Sequence, residues 1–226
     1  MKVHNRNVSG RITLPENSTT LILITRTVAS AICLMKFSSE NNHNPSDIWT
    51  TRFIAAAMIQ GGIIVGLTAF LIVSQTSFLK PEISRVIASG GAGTWFTFGY
   101  FMYIVVGVIG VAVSAIFYHY TEGVLNKQRY YRVNRIAKGL AWSHLLFMNI
   151  GIVASAGMLM YAGYAAGAAM LPESVGGKGF DEGQTHEILA PFIEPIAAAV
   201  LVLLVGVTLG GIGFLLVNYR KNGKNG

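Results

Sequence analysis

The chain has 226 residues, of which 52% are hydrophobic and only 12% charged, about half the charged fraction of a soluble domain. Its charges cluster and leave four long stretches nearly free of them, which excludes a soluble globular protein and predicts a polytopic membrane protein. The net charge of +7 sits in loops and tails beside apolar runs, the pattern of orientation signals, so no nucleic-acid partner is expected.

Residues 1–51 form a polar N-terminal segment, rich in Asn and Ser and interrupted by "LILITRTVASAICL" (Leu21–Leu34). That run is too short to span a bilayer and carries Arg26. "ASA" before Ile32 resembles a signal-peptide cleavage site, whereas Met35 reads as a natural start that would make 1–34 upstream translation. Cys33 is the one cysteine, so neither an internal disulfide nor a multi-cysteine metal site is available.

Residues 52–221 are expected to form an all-α, four-helix transmembrane domain, followed by a short tail, 222–226. The first span reads "FIAAAMIQGGIIVGLTAFLIVSQ", residues 53–75, and the second, 95–118, follows the glycine-rich "ASGGAGT". The third covers 140–171, is longer than a bilayer needs and stops at Pro172. The fourth covers 191–219 and begins at Pro191. Tyr and Trp at several ends suit the aromatic belts of a membrane interface.

The connection between spans two and three holds Lys127, Arg129, Arg132, Arg135 and Lys138, and the C-terminus adds Arg220, Lys221 and Lys224. Between spans three and four stand Glu173, Asp181, Glu182 and Glu187 against Lys178 alone. With four spans in a cell membrane, this asymmetry predicts cytoplasmic termini and a cytoplasmic middle loop. A cleaved signal peptide would invert that arrangement, which weighs against one.

His119, in "FYHYTEG" at the end of span two, and His144, near the start of span three, are expected at similar depth on neighbouring antiparallel helices. Two such imidazoles are a candidate cofactor site, with haem the cofactor they would hold. The competing reading makes both interfacial anchors among Tyr118, Tyr120, Tyr130, Tyr131 and Trp142, with no cofactor at all. Glu194, in "FIEPI", is a carboxylate inside span four and a candidate for proton or ion coupling. It also lies only about one turn below the interface, where it would simply be hydrated.

Gln60 and Asn149 are polar residues in apolar runs and are expected to hydrogen-bond between helices. Gly62 and Gly66, Gly163 and Gly167, and Gly206 and Gly210 share the small-xxx-small spacing of close helix contacts, within the bundle or with a partner. The acidic stretch "PESVGGKGFDEGQTHE", with His186, reads as a solvated loop rather than a metal site.

Spans two and three, "WFTFGYFMYIVVGVIGVAVSAIFYHY" and "WSHLLFMNIGIVASAGMLMYAGYAAG", resemble a helix pair late in the catalytic subunit of haem-copper oxidases, in the nitric oxide reductase branch. In that family a helix ending in aromatic residues precedes one with a pattern like H-x-W-L-x-N-I-G. The counterparts here are His144, Asn149, Ile150, Gly151 and the Ala162–Gly163 pair. The family's first helix of the pair opens with haem-ligating histidines, yet "WFTFGYF" has none. Five histidines in the whole chain, two of them His4 and His43, do not rebuild a haem-copper centre.

The resemblance therefore implies an oxidase-like bundle without the redox core: a non-catalytic or accessory subunit that meets the lipid bilayer and other membrane subunits. A small haem- or quinone-binding redox protein and a small transporter coupled through Glu194 are the alternatives.

Overall fold

A computed structural model describes residues 48–77, 80–127 and 131–222. The readings of 1–34 as leader or upstream translation lie outside these residues, as do Cys33, His4, His43, Arg129 and Lys224. Helix α1 runs Ile48–Ser77, and a short α2, Ile83–Ala88, precedes α3, Gly93–Met102. A π-helical segment, Tyr103–Gly110, carries α3 directly into α4, Val111–Lys127. Helix α5 is Tyr131–Met170, a single 3-10 turn follows at Glu173–Val175, and α6 is Glu182–Asn222.

The fold is all-α among the described residues, with four helices long and apolar enough to cross a membrane. Their glycines and β-branched residues are poor helix formers in water. In hydrocarbon the backbone must satisfy its own polar groups, and the helix does so within one segment. With 40 residues, α5 is about 60 Å long, twice the hydrocarbon thickness, so it tilts or projects beyond the bilayer.

The fourth helix begins earlier than its apolar run. Asp181 Oδ1 accepts from the Gln184 amide at 2.8 Å, and Gln184 Oε1 accepts from the Asp181 amide at 3.2 Å. This reciprocal capping box opens α6, so Glu182, His186 and Glu187, expected in a loop, form its first turns. The helix continues through Pro191 and Pro195. The stretch "ASGGAGT" is likewise a tight turn: Gly90 and Gly91 take left-handed φ values of 71° and 50°, which favour glycine.

Helices α5 and α6 pack along their length, α3 lies on α5, and α1 lies on α4 and the π-helical segment. Glycine sets close approaches at both the α5–α6 and the α3–α5 contacts. A Cβ on Gly151 would stand 2.7 Å from the Leu203 amide nitrogen, and one on Gly206 would stand 2.8 Å from that of Met148. Gly163 faces the Phe96 backbone, and Gly167 faces Gly93 with its Cβ position 3.1 Å from the Gly93 nitrogen. Backbones approach this closely only where no side chain intervenes. Gly62 and Gly66 differ, because nothing lies within 4 Å of either Cβ position. They sit on α1, where 11% of the most apolar stretch is buried, against 33% on α5.

Candidate functional site

In the middle of the bundle, three helices are joined by polar side chains. Tyr103, the first residue of the π-helical segment, donates its hydroxyl to Gln60 Oε1 on α1. Gln60 Nε2 donates to Asn149 Oδ1 on α5 at 2.9 Å, and Asn149 Nδ2 donates to its own helix at Leu145 O, 2.7 Å. Each group satisfies another where lipid offers no partner, so this chain fixes the rotation of α1 against its neighbours.

Nearer one end, aromatic rings surround a histidine. Phe53 on α1 stacks on Tyr118 of α4, with centroids 4.4 Å apart and planes at 18°. The Tyr118 hydroxyl lies 3.2 Å from His144 Nδ1, and the buried imidazole lies 5.1 Å from the Phe53 ring. Gly210 of α6 also lies against the ring, where a Cβ would collide with the imidazole.

Above this cluster Trp49 meets Trp142 edge-on at 5.5 Å, and the Arg52 guanidinium stands 4.7 and 4.8 Å from the two ring centroids. Such cation–π contacts are worth about 0.5–1 kcal/mol each at exposed positions. Beside them the buried Glu122 carboxylate accepts from the Trp49 amide at 2.6 Å, the Thr50 amide at 3.2 Å and Thr50 Oγ1 at 2.7 Å. A carboxylate from α4 thus caps the N-terminus of α1, filling the orphan donors of its first turn and meeting the positive end of its dipole.

Between the π-helical segment, α4, α5 and α6 lies a cavity of about 410 Å³. Its walls are mainly apolar, with Val105, Phe117, Met148, Val207 and Phe214 among them, and Gly210, Gly211 and Gly213 form one side. Ser114 and Thr121 also line it, but their hydroxyls donate to Gly110 O and Phe117 O within their own helix. Tyr118 and His144 are the other polar groups on the wall. A π-helical turn widens the helix locally and recurs at functional sites; here it contributes Val105, Val106 and Gly110 to the cavity.

His119 and His144 do not meet. His144 is buried on the cavity wall, whereas His119, the next residue after Tyr118, is exposed on the outside of α4. Tyr118 occupies the place facing His144. Glu194 is exposed on α6, with no partner among the described residues. Gly206 and Gly210 lie at the α5–α6 contact and Gly163 and Gly167 at the α3–α5 contact, while Gly62 and Gly66 face outward.

Sequence reasoning missed the cap made by Glu122 and the role of Tyr118. Both belong to "FYHYTEG", in which the histidine is exposed. Among the described residues no group of three His, Cys, Asp or Glu side chains is arranged to hold a metal ion. Comparison with protein families, with curated proteins and with solved structures returns no match to this chain.

Proposed function

We propose that the chain is a non-catalytic, accessory subunit of an electron-transport complex in the cell membrane, docked to its partner through the outer face of α1. The observation that carries this is the open pair Gly62 and Gly66. On a helix with little burial, they leave a shallow groove beside the exposed Ile59, Ile63 and Val65. Lipid gives two helices no hydrophobic reason to associate, and small residues permit the close packing that does. The resemblance of spans two and three to an oxidase helix pair supplies the class of complex.

Arg52, Arg135 and Lys138 belong to the bundle end that holds the N-terminus of α1. Glu173, Asp181, Glu182 and Glu187 belong to the other. By the positive-inside tendency the first end faces the cytoplasm, with both termini.

Extraction in a mild detergent, size analysis and identification of co-purifying chains test the docking. The expected result is a complex with other membrane subunits that Gly62→Leu with Gly66→Leu disperses. A wild-type monomer with no companion chain refutes it. With Cys33→Ser as background, labelling of single cysteines introduced at the C-terminus and at Gly176, in intact cells, reads the orientation: the expected result is reaction at Gly176 only.

A second reading, a small ligand-binding membrane protein, is favoured by one observation, the cavity beside His144 and Tyr118.

A further inference from the structure

The Tyr118 hydroxyl has one hydrogen-bond partner among the described residues, His144 Nδ1 at 3.2 Å. In a largely apolar setting a phenol donates its proton to an available acceptor, because an unmade bond is costly there. That donation makes Nδ1 the bare nitrogen of the imidazole and leaves the proton on Nε2. Nε2–H has no protein acceptor among the described residues, although His144 is only 7% exposed. The same imidazole lines the cavity, where the Ser114 and Thr121 hydroxyls already donate to backbone carbonyls. Among the described residues the cavity wall therefore offers one uncommitted donor.

The remaining features restrict what this donor meets. Among the described residues no Asp, Glu, Lys or Arg lines the cavity, so none of them offers a metal cation or an anion a counter-charge. Val105, Phe117 and Val207 are half exposed at its wall, so the cavity borders the apolar outer surface of the bundle. A volume of about 410 Å³ falls within the span of small-molecule sites.

From this we infer that the cavity binds a neutral, lipid-soluble molecule through a carbonyl oxygen that accepts a hydrogen bond from His144 Nε2–H. Two membrane sources carry that chemistry: the ring carbonyl of a quinone and the ester carbonyl of a bilayer lipid. The inference does not depend on the accessory role, which concerns α1 on the far side of the π-helical segment.

Two variants separate the hydrogen bond from the space. His144→Phe removes the donor and keeps the ring. Gly211→Leu adds bulk at the cavity wall, because Gly211 lines it and its Cβ position is open, with nothing within 4 Å. A leucine also suits a helix better than glycine, so this variant stays folded if His144→Phe does not.

The test is saturation binding of tritiated decylbenzoquinone and, separately, tritiated dioctanoyl phosphatidylcholine to the full-length protein in detergent. Decylbenzene serves as a competitor without a carbonyl. Saturable binding of one or both is expected, and the tighter ligand names the source. Binding should weaken about tenfold in His144→Phe, the worth of one hydrogen bond, and vanish in Gly211→Leu. The inference is overturned if neither ligand saturates, if decylbenzene competes as well as the unlabelled ligand, or if Gly211→Leu binds like wild type. A folded His144→Phe that binds within twofold of wild type overturns it too.

Discussion

Replacing Glu122 with alanine removes the acceptor that holds the start of α1 to α4. The carboxylate takes three hydrogen bonds, from the Trp49 and Thr50 amides and from Thr50 Oγ1. Charge-assisted bonds contribute about 1.5–3 kcal/mol each, whereas loss of a helix cap measured as a whole costs about 0.5–2 kcal/mol. Glu122 is 6% exposed, so water compensates less than at an open helix end, although the Thr50 hydroxyl turns to another acceptor. Together these place Glu122→Ala at about 3 kcal/mol of destabilisation.

Glu122→Gln keeps one acceptor oxygen but turns an NH2 towards amides that are themselves donors, so about half of that loss is expected. Reversible unfolding in mixed micelles with increasing SDS, followed by tryptophan fluorescence, gives both values. Hydrogen exchange at the Trp49 and Thr50 amides gives the local readout, with faster exchange in Glu122→Ala. If Glu122→Ala unfolds within about 0.5 kcal/mol of wild type, the range of an unremarkable surface substitution, the carboxylate is not the cap described here.

Three further outcomes are expected. Gly206→Ala drives a methyl to 2.8 Å from the Met148 nitrogen and should cost about 2 kcal/mol in the same unfolding assay; Gly62→Ala meets nothing and should be neutral or stabilising by up to about 1 kcal/mol. In a double-mutant cycle, Gln60→Leu and Asn149→Leu should couple by about 0.6 kcal/mol, with about 1.7 kcal/mol the upper end for membrane hydrogen bonds; additive effects would mean that the 2.9 Å contact contributes nothing. Glu194→Gln should leave stability within about 0.5 kcal/mol of wild type, since the carboxylate is exposed and without a partner among the described residues; ion flux in liposomes that falls with this substitution would support a coupling role.

Hydropathy located all four spans because lipid imposes a length and a composition on any crossing helix. Gln60 and Asn149 stood out for the same reason: an amide in an apolar run must find a partner. Rotation about the helix axis was much harder to read. A span that is apolar on every side carries little record of which face is buried, so the choice among Tyr118, His119 and Tyr120 fell on the residue with ligand chemistry. The structure turns His119 outward and Tyr118 inward.

Glu122 escaped notice for a different reason. Its acceptors' partners lie 72 and 73 residues away, and a carboxylate beside a membrane edge looks hydrated until a helix end is placed against it. The start of α6 was available in principle, since Asp181 and Gln184 have capping-box spacing. The cavity was not, because it depends on a local departure from α-helical hydrogen bonding between Tyr103 and Gly110.

That departure also acts as a phase shifter. Each α-helical residue advances the side-chain direction by about 100°, and a π-turn holds one residue more than the α-turn it replaces. Deleting Val106 would return the segment to an ordinary ladder and move every later residue of α4 back by one place. With the helix otherwise held where it is, His119 would then stand where Tyr118 stands now, facing His144, and Gly123 would replace Glu122 at the start of α1. Haem-type absorption from such a deletion variant, reconstituted with haem, would show that two imidazoles at that site suffice; its absence would show that they do not. The paired-histidine arrangement read from the sequence is thus one residue out of register with the molecule, and the π-helical segment holds it there.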